Sequence, residues 1–109
     1  MRLRNAVLAL ASAAALVLTV PMSASAAAAG EFSYKYGRGL PGFLVDPPSG
    51  ECIDALGALA DDPAFAPYNH TTSTATVFLD FGCSGETYYV MDPGKKLGDR
   101  LKFRSVIFS

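Results

Sequence analysis

Tryptophan is absent from the 109 residues, histidine occurs once and cysteine twice. With His70 as the only histidine, a zinc centre built on several imidazoles is excluded and few routes to a general base remain. The chain also lacks a Gly-x-Ser-x-Gly elbow, a phosphate-cradling glycine loop and a paired-carboxylate constellation. Its acids favour turn contexts such as Asp46-Pro47 and Asp92-Pro93, where they are expected on conformational grounds. The sequence therefore reads as non-enzymatic. Positive charge is scarce too, with a net formal charge of −1, which argues against nucleic acid or an anionic membrane as a general partner. No stretch carries the period of a long amphipathic helix.

One apolar run stands out, Ala6 to Val20, preceded by Arg2 and Arg4 and followed by Pro21 and the small residues Ser23-Ala24-Ser25-Ala26. It is shorter than the roughly 20 residues of a spanning helix and has the three-part layout of a secretory signal peptide. Cleavage is expected near Ala26, leaving residues 27–109 as one secreted, extracellular domain with no membrane anchor, expected to be a monomer. Without Arg2 and Arg4, seven bases face ten acids, for a net charge of −3.

A domain this small buries a limited core and is usually stapled when secreted. Cys52 and Cys83 can pair in only one way. Such a bridge would restrict the unfolded chain by about 3–4 kcal/mol in the loop-entropy account.

Phe32-Ser33-Tyr34-Lys35-Tyr36 alternates with its aromatics on one face, the period of a strand. Phe43-Leu44-Val45 is a second strand, stopped by Asp46-Pro47-Pro48-Ser49-Gly50. Cys52 to Ala60 has a helical bias interrupted by Gly57, and Asp61 to His70, with Pro63 and Pro67, reads as the longest loop. From Ala75 the pattern sharpens, with Ala75, Val77 and Leu79 facing the core; Thr87–Met91 and Phe103–Phe108 are further strands. Several short strands separated by turns predict an all-β antiparallel sandwich or barrel.

Phe78 to Gly85, "FLDFGCSG", places an aromatic, four residues, Cys83, one residue and a glycine. This resembles the folded hairpin of the βγ-crystallin Greek key, with Cys83 in the place of the second aromatic. The polar run Asn69 to Thr74 before Ala75 is similar to the run that leads into the last strand of each motif in that family. The resemblance implies a small Greek-key sandwich with Phe78 packed on a hairpin that Cys83 pins covalently. "PPSGECI", "STATVFLDFGC" and "DRLKFRSVIFS" look most like small secreted actinobacterial proteins. Relatives of that architecture include the Streptomyces metalloproteinase inhibitors and killer-toxin-like proteins.

Two extracellular partners follow. Phe65, Pro67 and Tyr68 are expected on a proline-stiffened loop that could present a preorganised contact to a protein, a peptidase among the candidates. Lys95, Lys96, Arg100, Lys102 and Arg104 concentrate five bases in ten residues, a candidate patch for a cell-envelope component in a killer-toxin-like or antimicrobial role. The resemblance also makes Asn69, Thr71 and Ser73 a weak calcium candidate; otherwise no metal and no cofactor is expected.

Overall fold

The computed structural model describes residues 27–109, and the signal peptide expected over residues 1–26 lies outside the described residues. The chain is all-β. Its strands are β1 (Gly30–Tyr36), β2 (Leu40–Val45), β3 (Cys52–Asp54), β4 (Ala64–Thr71), β5 (Ala75–Phe78), β6 (Tyr88–Met91), β7 (Lys102–Phe103) and β8 (Ser105–Phe108). They form two four-stranded antiparallel sheets. Sheet I has the order β2-β1-β4-β7 and sheet II the order β3-β8-β5-β6.

The alternating aromatics of β1 behave as their period demands: Phe32 and Tyr34 are buried, while Ser33 and Lys35 face away. Their rings meet edge to face with Phe108 of the other sheet and with Phe103, which β7 brings in from the same sheet. Phe32 lies 5.4 Å from Phe108 and 6.1 Å from Phe103, and Tyr34 lies 5.5 Å from Phe103. Such pairs add about 0.5–1.5 kcal/mol each beyond the area they bury. Ala75, Val77, Met91 and Val106 close the core from sheet II.

Three expectations are corrected. Asp61 to His70 is not a loop: its C-terminal part is β4, hydrogen-bonded between β1 and β7. Two features hid it. Pro67 lacks an N–H, and Ala66 adopts a positive φ of 54° at a register shift, so the inward positions run Ala64, Pro67, Asn69 and Thr71 rather than every second residue. The proline falls where the ladder with β1 is already interrupted, so its missing donor breaks no bond there. Cys52 to Ala60 contains no helix; it is β3 followed by tight turns, with Gly57 at φ +90° seated against the Tyr36 ring. Phe103 to Phe108 is two strands rather than one, because the chain passes from sheet I to sheet II at Arg104.

The stretch after β5 folds back over the outer face of sheet II. A single 3₁₀ turn, Phe81–Cys83, lies across β3 and β8. The disulfide Cys52–Cys83 holds it there, with Cα atoms 5.8 Å apart. The Cys83 N–H donates to Ser105 Oγ at 2.8 Å, the Ser105 hydroxyl donates to Asp80 O, and the Gly82 N–H donates to Asp54 Oδ1 at 2.9 Å. Ser105 is fully buried by this cover. Phe78 packs on Tyr88, with centroids 5.7 Å apart. Gly85 sits at φ +87°, a conformation that calls for glycine.

Candidate functional site

The outward residues of sheet I are placed by strand register. Phe43 pairs with Ser33, and Ser33 with Tyr68; Pro41 pairs with Lys35, and Lys35 with Phe65. Two rows of outward side chains therefore cross the sheet side by side. Each row ends on a lysine. Gly94 to Leu97 runs beside β4, with Asn69 N–H to Lys95 O at 2.9 Å and Leu97 N–H to Pro67 O at 3.0 Å, and this sets Lys96 opposite Tyr68. Strand β7 sets Lys102 opposite Phe65.

The ammonium of Lys96 lies 5.5 Å from the Tyr68 centroid and that of Lys102 lies 4.8 Å from the Phe65 centroid. Contacts of this kind contribute about 0.5–1 kcal/mol at exposed sites. A backbone carbonyl, Asp99 O, accepts from Lys102 Nζ at 3.0 Å. Between the sheet and the segment Lys96–Asp99 opens a groove of about 360 Å³, lined by Ser33, Lys35, Phe43, Tyr68, Lys96 and Asp99 among others. Phe43 is 55% exposed at its rim. The groove thus presents aromatic faces with amines beside them, a chemistry suited to an anionic partner that also has apolar surface.

Two sets of residues that the sequence separates are brought together here. Phe65 and Tyr68 share this face with Lys96 and Lys102. Both rings are half-buried on a strand, so the expectation of an exposed, proline-stiffened loop is corrected, and Pro67 is buried on the opposite face. Lys95 and Arg100 are exposed on the connection outside the groove lining. Arg104 leaves the patch altogether: its guanidinium turns inward and donates to the carbonyls of Leu59, Ala60 and Leu79.

Lys35 and Phe43 were not singled out by the sequence reading. The alternation of β1 already pointed Lys35 outward, but only the register between β1, β2 and β4 places it beside the other two lysines.

The calcium candidate is built as a hydrogen-bond knot. Asn69 is fully buried; its Oδ1 accepts from Thr71 N–H at 3.1 Å and Thr71 Oγ1 at 2.7 Å, and its Nδ2 donates to Ser73 O at 2.8 Å and Met91 O at 2.9 Å. Ser73 N–H donates to Thr71 Oγ1 at 3.2 Å. These oxygens are spent on one another at a turn, and no carboxylate belongs to the set. Among the described residues no group of three or more His, Cys, Asp or Glu side chains is arranged to hold a metal.

Compared with protein families, curated proteins and solved structures, the chain has no significant match.

Proposed function

We propose that this chain is an exported, non-enzymatic binding module that takes an anionic component of the cell envelope on the outer face of sheet I. The observation that carries the reading is the convergence of Lys35 and Lys96 on Phe43 and Tyr68 around one groove, with the Lys102–Phe65 pair in the neighbouring row of the same face, in a chain whose net charge is negative. Concentrating cations on one face of an otherwise acidic protein gives local attraction for anions and directs them to a single surface. The flanking rings supply rigid, amphipathic contact area at small entropic cost. The single disulfide supports the extracellular assignment, because such bonds persist in oxidising compartments.

The folded hairpin over sheet II, with Phe78 packed near Tyr88 and Gly85 at a positive φ that favours glycine, supports the finer reading of a βγ-crystallin-like Greek key. The reading as a peptidase-directed inhibitor rested on a loop at Phe65–Tyr68. With that segment in the middle of a sheet, an envelope component is the partner that the groove favours.

The test is cosedimentation of the oxidised protein with purified wall fractions across a salt series. Binding should fall steeply with ionic strength, and the double variant Lys96→Glu/Lys102→Glu should weaken it by about tenfold or more. Tyr68→Ala should weaken it without changing the salt slope. Wall binding indifferent to salt and to the charge reversal, or stoichiometric inhibition of a peptidase by a protein that ignores every wall fraction, would overturn the proposal.

A further inference from the structure

Strand β6 forms one edge of sheet II, and nothing among the described residues pairs with its far side. Tyr88, Tyr89 and Val90 are 52%, 47% and 56% exposed in succession. Edge strands with apolar side chains are normally shortened, charged or covered because they template pairing with another chain. The other edges of the two sheets show such protection. Strand β7 has two residues, β3 has three and carries the disulfide, and β2 contains Pro41.

The backbone of β6 is aimed in an identifiable way. Leu79 N–H donates to Thr87 O at 3.0 Å, so Leu79 and Thr87 form a hydrogen-bonded pair. In an antiparallel ladder such pairs alternate. Tyr89 with Val77 and Met91 with Ala75 are therefore the bonded pairs, and Tyr88 with Phe78 and Val90 with Thr76 are not. Phe78 agrees, since its carbonyl points to the other side and accepts from Arg104 N–H at 2.8 Å. The N–H and C=O groups of Tyr88 and Val90 thus face the open edge, two donors and two acceptors in line.

We infer that β6 is a second binding site, independent of the groove on sheet I, which accepts an extended peptide segment of another protein as an added strand. The added strand carries basic residues at its flanks. Charge complementarity selects it. The exposed edge is bracketed by Glu86 and Asp92, both solvent-exposed carboxylates. A second copy of this chain is disfavoured by the same residues: pairing β6 with itself over its full length, antiparallel about Tyr89, sets Glu86 opposite Asp92. A basic-flanked strand would meet those carboxylates, bond to the free backbone groups of Tyr88 and Val90, and cover the exposed tyrosines.

The register supplies a selective variant. Val90→Pro removes a donor that points to the open edge and breaks no bond to β5, and proline is tolerated at such edge positions. The probe is the acetylated, amidated peptide Lys-Thr-Val-Thr-Val-Thr-Lys, titrated into the oxidised protein while backbone amides are followed by NMR and hydrogen exchange. Peptide binding should slow exchange of the Tyr88 and Val90 amides by about tenfold or more. A glutamate-flanked analogue should bind about tenfold more weakly, and an analogue N-methylated on alternate residues should not bind. Val90→Pro should keep the unfolding midpoint and lose the peptide. Unchanged binding by a folded Val90→Pro protein, equal binding of the N-methylated analogue, protection at residues outside β6, or concentration-dependent dimerisation through β6 in place of peptide binding would each overturn the inference. Because Lys96→Glu/Lys102→Glu leaves β6 intact, peptide binding by that variant separates this site from the groove.

Discussion

Arg104 Nε donates to the carbonyl of Leu59, 45 residues earlier in the chain, at 3.0 Å. Its Nη1 reaches Leu79 O at 2.9 Å, its Nη2 reaches Ala60 O, and Phe81 lies 6.0 Å away on the covering turn. One planar fork thereby ties the loop before β4 to the end of β5, at the residue where the chain changes sheets. A charged donor is worth more than a neutral one, and this one reaches three carbonyls, of which Leu59 O also accepts from the Asp62 N–H. Arg104→Met should therefore cost about 2–3 kcal/mol, read as a lower urea midpoint at an unchanged slope. Arg104→Lys should recover only part of this, because a point charge cannot span three acceptors. A loss below about 0.5 kcal/mol for Arg104→Met would place the residue among ordinary surface cations.

The disulfide acts on the same region from the other side. Cys52 and Cys83 are 31 residues apart, and the bridge fixes the 3₁₀ turn over β3 and β8. Replacing both with serine should cost about 3–4 kcal/mol. The damage should be local before it is global: amide exchange at Gly82 and Cys83, which donate to Asp54 and Ser105, should accelerate while that of β1 and β4 stays close to the global limit. Uniform acceleration throughout the chain would mean that the bridge stabilises only through the unfolded state.

How far the sequence could be read follows from where its periods are intact. Strands β1 and β5 show clean alternation, so Phe32, Tyr34, Ala75 and Val77 could be assigned to the core. The two cysteines could pair in one way only, and that pairing is the one the structure has. Strand β4 was illegible because a bulge at Ala66 and a proline at 67 break the alternation that marks a strand. The groove was half legible. Its aromatics and its lysines were each conspicuous, but their meeting depends on the pairing of β4 with β7 and with Gly94–Leu97, and on β1 delivering Lys35 between them. Those are register facts between segments some thirty residues apart, which local pattern does not contain. The run of five bases was misleading for a related reason. A bend at the sheet crossing turned Arg104 away from Lys96 and Lys102.

Tyr34 gives the fold a dependence on alkaline pH. Its ring is buried among Phe32, Tyr36 and Phe103, and its hydroxyl donates to Leu56 O at 3.0 Å. Burial, with the neighbouring Tyr36 adding to it, holds the phenol above its ordinary value of 10.0. The folded state therefore prefers the neutral form, whereas an unfolded tyrosine ionises near 10.0. The associated stability is fully present below that pH and is lost as pH rises through the higher folded value. Unfolding free energy measured on either side of pH 10.0 should fall more steeply for the parent protein than for Tyr34→Phe. At neutral pH that variant should be less stable by about 0.5–1.5 kcal/mol for the lost hydrogen bond. Equal alkaline slopes would show that Tyr34 ionises as freely in the folded protein as in the unfolded chain.

Asn69 is the polar residue on which the turn between β4 and β5 depends. Beyond its side-chain bonds, its own N–H and C=O pair with Lys95 O and Gly94 N–H, so one buried residue links β4, the turn after it, the end of β6 and the segment that carries Lys96 into the groove. Asn69→Ala removes the acceptor of the Thr71 N–H and one of the donors to each of the Ser73 and Met91 carbonyls at a buried residue, and should cost about 1–3 kcal/mol. Asn69→Asp keeps the shape, removes both donors and buries a carboxylate beside two carbonyls, so it should be no better tolerated. Excess Ca²⁺ should leave the unfolding midpoint of the parent protein unchanged, since binding would require Asn69 Oδ1 and Thr71 Oγ1 to abandon their mutual bonds with no carboxylate in the set to hold the ion. A midpoint that climbs with Ca²⁺ and loses that response in Asn69→Ala would show the knot to be an ion site closed on itself.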